Sequence, residues 1–241
     1  MKLKVLQWNI LYTDSINRID EIIKELKKFN ADVYCLQEVS EYYNSGVIEK
    51  LLKAFPYGAY AYADEKRNEN RVQGNAILSK YPIKEKKEVL IAPRYDYDNN
   101  IKREGRVYLE CVLNIKGKEI KTATLHHSLK KPNKPRDEEE NLTKELLKQN
   151  IKNFIFTADL NTTPEENYFK DLKQILSHCG PNENEKTCTT KPRTFLDGTK
   201  EEYLSLRIDY VFATPDIKVN SSKILNTEMS DHLPIETEFE L

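Results

Sequence analysis

Apolar residues fall along this chain in two spacings, and the alternation between them outlines an α/β fold. Leu3, Val5, Leu6 and Trp8 open the chain as a strand. Ile19, Ile22, Ile23, Leu26 and Phe29 recur at helical spacing, which predicts a helix over 16–29 with Asp14 or Ser15 as its N-cap. Val33-Tyr34-Cys35-Leu36 is a continuous apolar run of the kind found in strands covered on both faces. A helix is predicted over 47–55 and strands over 74–79 and 89–92, with Tyr81-Pro82 as punctuation between them. Segments 106–115 and 119–125 read as a hairpin turned at Lys116-Gly117-Lys118. A charged helix over 137–150 carries Leu142, Leu146 and Leu147 on its inner face. A strand at 154–157, a short helix over 164–176 and strands at 208–213, 217–219 and 235–241 complete the pattern. Helices between many strands, mixed with hairpins, suit two packed mixed sheets with helices outside better than one parallel sheet.

The chemistry sits where these runs stop. Trp8 is followed by Asn9, Gln37 by Glu38, Leu125 by His126, and Ala158 by Asp159 and then Asn161. Ile208 leads into Asp209, and Ser230 into Asp231 and His232. Strands that deliver carboxylates, amides and imidazoles to one sheet edge build a concave polar site on a rigid base. Carboxylate and amide oxygens are hard ligands, suited to Mg²⁺ or Mn²⁺. Taken singly, an Asn or Asp at a strand end is ordinarily a turn former or cap, and His126-His127 reads as a surface pair. The ordered set carries the argument.

Composition narrows the classes further. The chain has 241 residues, net charge −1 and mean hydropathy −0.71, enough length for one large domain and no overall positive charge. A polycation that grips nucleic acid over its whole surface is excluded, but a local basic groove is not. Cys35 and Cys111 lie in apolar runs and read as buried hydrophobes. Cys179 and Cys188 flank a polar stretch, where they can close a disulfide or, with His178, touch a metal. The first residues lack the apolar core of a signal peptide, and no run approaches the ~20 apolar residues of a membrane span. The expectation is a cytoplasmic monomer.

In order, the chain reads Gln7-Trp8-Asn9, Leu36-Gln37-Glu38-Val39, Gly74-Asn75-Ala76-Ile77-Leu78-Ser79, Thr124-Leu125-His126, Asp159-Leu160-Asn161, Arg207-Ile208-Asp209-Tyr210 and Ser230-Asp231-His232-Leu233-Pro234. This series resembles the endonuclease/exonuclease/phosphatase superfamily over residues 5–235. The resemblance implies a deoxyribonuclease I-like four-layer α/β/β/α sandwich, a single catalytic domain over 1–241, and a metal-dependent phosphodiesterase or nuclease. It implies Glu38 as principal metal ligand with Asn9 and Asp231 nearby. Asp159 and Asn161 would activate the attacking water and hold a phosphate oxygen. Asp209 would orient His232, which contacts the phosphate, and His126 matches a further motif histidine. Either His232 or Asp159 can serve as base. Arg106 sits where many members carry an arginine, and Asn75 lines the site or fixes a turn. Ala158 stands where a glycine is usual, and Val39-Ser40 replaces the Thr-Lys of exonuclease III-like members. The resemblance therefore leans to the branch of tyrosyl-DNA phosphodiesterases, deadenylases and sphingomyelinases, away from abasic-site endonucleases.

Substrate is read from charge. Lys131, Lys134 and Arg136 follow His126 in a basic segment, with Lys66, Arg67 and Arg71 extending it. Tyr57, Tyr60, Tyr62, Tyr95 and Tyr97 are expected near loop segments, where rings can stack on bases or a blocked end. Together they point to nucleic acid, DNA more than RNA, in keeping with DNA repair. Lipid headgroups or small phosphorylated molecules are the alternative substrates, and an inactive binding scaffold is the remaining one.

Overall fold

The computed structural model describes residues 1–66, 70–92, 104–130, 136–194 and 200–241. The first half of the chain runs β1 (Lys2–Asn9), α1 (Tyr12–Asn17), α2 (Ile19–Phe29), β2 (Val33–Tyr42), α3 (Val47–Lys53), β3 (Tyr57–Lys66), β4 (Arg71–Ser79) and β5 (Ile83–Ala92). It continues with β6 (Arg106–Ile115), β7 (Lys118–His126), α4 (Asp137–Lys148), β8 (Phe154–Asp159), α5 (Asn167–Ile175) and β9 (Ser177–His178). The ribbon β10 (Arg193–Thr194) and β11 (Lys200–Glu201) precedes β12 (Asp209–Ala213), β13 (Lys218–Ile224) and β14 (Ile235–Glu240).

Two six-stranded mixed sheets result, ordered β13-β14-β1-β2-β4-β3 and β5-β6-β7-β8-β12-β9. Each has one parallel pair, β1 with β2 and β7 with β8, among antiparallel neighbours. The sheets face each other across a core of Leu3, Val5, Val33, Cys35, Ile77, Leu109, Ile155 and Val211. Behind the first sheet, α2 and α3 pack Ile22, Leu26 and Leu51 on Trp8, Leu36 and Leu78. Behind the second, α4 and α5 pack Leu146, Leu147 and Phe169 on Phe154, Phe156 and Phe212. This is the four-layer α/β/β/α sandwich.

Strand parity fixes what the interior receives. Successive side chains point to opposite faces, so on β1 Leu3 and Val5 enter the inter-sheet core together with Gln7 and Asn9. On β7 the same face takes Thr122, Thr124 and His126; on β8, Ile155, Thr157 and Asp159; on β12, Asp209 and Val211. At one end of the sandwich the interior therefore changes from aliphatic to polar.

Three sequence expectations change. The helix over 16–29 is two helices broken at Arg18, and neither Asp14 nor Ser15 caps them. The first begins at Tyr12 because Asn9 Oδ1 accepts from the Leu11 N–H (3.0 Å) and Glu38 Oε2 from the Tyr12 N–H (3.0 Å). Tyr57, Tyr60 and Tyr62 lie within strand β3 rather than in loop segments; the alternation of Tyr60 and Tyr62 with Ala59, Ala61 and Ala63 is a period-two signal. Tyr95 and Tyr97 lie outside the described residues.

Candidate active site

The polar end of the sandwich is assembled by register. Asn9 stands opposite Gln37 on the first sheet, and Asp159 lies between His126 and Asp209 on the second. Glu38 is aimed by a bulge: the β2–β4 register shifts between Leu36 and Val39, and Glu38 takes φ 58°. Asn161 is also left-handed, at φ 46°. Side chains rarely adopt this region, and such residues concentrate at functional sites.

A continuous network joins the two sheets. The Asn9 amide donates to Glu38 Oε1 (3.1 Å) and to Asp159 Oδ2 (2.9 Å). Asp159 Oδ2 lies 3.5 Å from His126 Nε2 and 3.8 Å from His232 Nε2. His126 Nδ1 is 3.9 Å from Glu38 Oε1, and His232 Nε2 is 4.0 Å from Asp231 Oδ1. Glu38 and Asp231, remote in sequence, therefore belong to one site. Both are partly exposed, whereas Asp159 and Asp209 are buried.

Electrostatics sorts the ionisable groups. Asp209 lies 2.9 Å from His232 Nδ1 and also accepts from Thr187 Oγ1 (2.6 Å) and Gln7 Nε2 (3.0 Å). Burial opposes both charges, but the pairing prevails: the Asp209 and Asp159 carboxylates hold His232 well above its ordinary value, and Asp209 is lowered. Asp159 is pushed up to about 7, chiefly by burial. His126 is held well below its ordinary value by burial and then by Arg106, so it is neutral.

The sequence matches the Endonuclease/Exonuclease/phosphatase family over residues 6–232, a span from β1 to His232. The chain belongs to this family. As a member it is a phosphoric ester hydrolase. A search of functionally curated proteins finds no significant match. Among solved structures, a family protein from Bacteroides thetaiotaomicron has TM-score 0.73 and 18% identity, covering 99% of this chain and 97% of its own. A mannosyl-6-phosphatase from Bacteroides thetaiotaomicron has TM-score 0.70 and 18% identity, with 99% and 100% covered. D. rerio TDP2, solved with a single-stranded DNA product, has TM-score 0.69 and 17% identity, with 100% and 99% covered. At these identities the likeness is one of fold.

The remaining residues singled out from this family member's sequence fare unevenly. Arg106 closes one side of the site, with Nη1 3.4 Å from His126 Nδ1 and Nε donating to Ser128. Asn75 donates to the Val107 carbonyl (2.8 Å), a tie between the sheets. The Asn161 amide nitrogen faces the His127 carbonyl (2.9 Å) and His126 Nε2 (3.1 Å), not open space for a phosphate oxygen. Arg136 is not available to substrate. It is 1% exposed, and its guanidinium donates to the carbonyls of Ser128, Leu160 and Asn161, to Thr162 and to Glu140. Arg71 is likewise buried, 4.1 Å over the Tyr12 ring. Lys131, Lys134 and Arg67 lie outside the described residues. His127 is no surface residue: it is buried, bonded to Thr143 Oγ1 (3.0 Å) and stacked on Tyr168. All four cysteines are free thiols, so Cys179 and Cys188 form no disulfide.

Sequence reasoning overlooked a second tier. Gln7 Nε2 donates to Gln37 Oε1 (2.9 Å) as well as to Asp209, and Gln37 donates to Thr124 (2.6 Å). Amides on the core-facing parity of otherwise apolar strands were the available signal. Thr187 on Asp209 had no such signal, because it comes from an irregular segment.

Proposed function

We propose that the chain is a Mg²⁺- or Mn²⁺-dependent phosphodiester hydrolase that processes nucleic acid, DNA in preference to RNA, with residues 1–241 as one catalytic domain. The observation that carries the reading is the joining of Glu38 to Asp159 through Asn9 and His126, and of Asp231 to Asp159 through His232. The donor set fits a hard cation: Glu38 and Asp231 are the partly exposed carboxylates, and Asn9 holds Glu38 in place. Asp209 fits less well, since it is fully buried and its oxygens take three partners, Gln7, Thr187 and His232, where Glu38 accepts one bond on each oxygen. A bound cation would neutralise phosphate charge and polarise the scissile bond.

The side chains supply the rest. Asp159, pushed up to about 7, has a proton affinity matched to taking a proton from water near neutrality. His232 is already cationic beside Asp209, so it serves as the donor that stabilises charge on the phosphate oxygens, not as the base. Asn161 positions the base: its backbone N–H donates to Asp159 Oδ1 (3.0 Å). Neutral His126 spans Glu38 and Asp159 without adding charge.

Nucleic acid is supported by the segment carrying Lys131 and Lys134 and by the likeness in fold to the DNA-bound TDP2. One observation favours a second reading, a small phosphorylated molecule: Arg136 and Arg71, two cations expected at the substrate, are tied into the protein. The fold likeness to a mannosyl-6-phosphatase fits that reading. Purified protein with Mg²⁺ should cleave labelled oligonucleotides, among them 5′-blocked ones, and lose activity to a chelator. Turnover of sugar or lipid phosphates with no oligonucleotide cleaved would reject the nucleic-acid reading.

A further inference from the structure

The proposed reaction leaves one group beside His232 unused. Cys188 Sγ lies 3.5 Å from His232 Nε2, and both lie within 4.8 Å of a carboxylate oxygen of Asp231. We propose that Cys188, His232 and Asp231 form a binding site for a thiophilic divalent cation, Zn²⁺ above all, whose occupation removes His232 from the reaction.

The spacing is the first support. Zinc–sulfur and zinc–nitrogen bonds of about 2.3 and 2.0 Å at a tetrahedral angle separate the two ligand atoms by roughly 3.5 Å. The observed separation is 3.5 Å. Asp231 Oδ1, 4.0 Å from Nε2, needs to close by roughly half an ångström to complete a third bond. Asp231 is partly exposed and lies in the irregular segment between β13 and β14, outside any strand or helix.

Preorganisation is the second support. Asp209 holds His232 Nδ1 at 2.9 Å, so Nε2 is the nitrogen presented to the cation. A carboxylate on the far nitrogen is the arrangement that orients metal-binding histidines. Backbone bridges from Cys188 to both Leu206 and His232 fix the thiol beside the ring. The Cys188 thiol and the imidazolium Nε2–H of His232 must each lose a proton, so binding Zn²⁺ releases two protons to solvent as the thiolate–zinc and imidazole–zinc bonds form.

Ligand softness makes the site selective. Mg²⁺ is held by oxygen and gains little from sulfur, whereas Zn²⁺ favours the Cys–His pair. The two cations would compete for Asp231. Inhibition by Zn²⁺ rests on the hydrolase reading above; the binding site itself does not.

Cobalt reports on the site without an activity assay. One equivalent of Co²⁺ added to the full chain should give a thiolate-to-cobalt charge-transfer band that Zn²⁺ abolishes. The band should vanish in C188S and persist in C179S, since Cys179 bonds instead to the Ser177 carbonyl. H232Q should weaken Co²⁺ binding by at least about tenfold, and it keeps the proposal testable if C188S does not fold. Co²⁺ uptake without the band, no uptake at all, or a band that survives C188S would overturn the assignment. Where a hydrolysed substrate is found, Zn²⁺ should inhibit the native protein at concentrations at least about tenfold below those needed for C188S. An inactive protein with an intact cobalt band would sink the hydrolase reading and leave the site standing.

Discussion

His232 Nδ1 sits 2.9 Å from Asp209 Oδ2, and 23 residues separate the two in the chain. The contact fixes which ring nitrogen faces the site, because Asp209 is itself locked by Thr187 and Gln7. Asp209→Asn keeps the shape and removes the charge that sustains the imidazolium. Turnover of any cleaved substrate should fall by at least about a hundredfold, with KM changing less than kcat. Equal activity in D209N would remove His232 from the reaction.

Asp159 sets the acid limb of the rate. Its carboxylate is pushed up to about 7 by burial, so it loses its basic form as pH falls through that value. The kcat–pH profile should therefore rise with pH on its acid side. Asp159→Asn should lower kcat by at least about a hundredfold and abolish that limb, while circular dichroism stays native. A limb that persists in D159N would assign the base to another group.

Glu38→Ala should leave the fold intact and shift the Mg²⁺ dependence of the rate to higher concentration, because the partly exposed carboxylate that Asn9 holds in place is lost. Calorimetric Mg²⁺ titration gives the independent reading. Unchanged binding in E38A would displace Glu38 from the metal site.

Arg136 tests stability instead of catalysis. Its guanidinium ties the carbonyls of Ser128, Leu160 and Asn161 to Glu140. Arg136→Ala should cost roughly 3 kcal/mol in denaturant unfolding, since buried acceptors lose their donor. A variant of native stability but poor substrate affinity would restore Arg136 as a substrate contact.

His178 predicts how the fold responds to acid. Burial, then Arg207, push it down to about 4, while its ordinary value is 6.5. Between those values the unfolded chain binds the proton and the folded one does not. The stability from this group is complete above the ordinary value, falls as pH drops toward 4, and changes no further below it. Its ring already packs among Phe169, Tyr210 and Phe212, so H178F should fold and lose stability less steeply over that window. Parallel slopes for the two proteins would refute the assignment.

The sequence by itself determined the elements and their chemistry. Period-two and helical spacings located most strands and helices, because each element must bury one face or both. The motif order singled out Asn9, Glu38, His126, Asp159, Asp209, Asp231 and His232, of which Asn9, His126, Asp159 and Asp209 stand at strand ends. Tertiary structure decided what no local pattern encodes: which face each strand turns inward, and which cations remain available. The bulge at Glu38 depends on pairing with β4, and the early start of α1 depends on Asn9 and Glu38 accepting its N–H groups. Arg136 reads as a basic surface residue until Leu160 and Asn161 fold over it. Cys188 reads as a polar-loop cysteine until it meets His232. Contacts between residues so far apart arise only from strand pairing and tertiary packing, so their consequences belong to the folded chain.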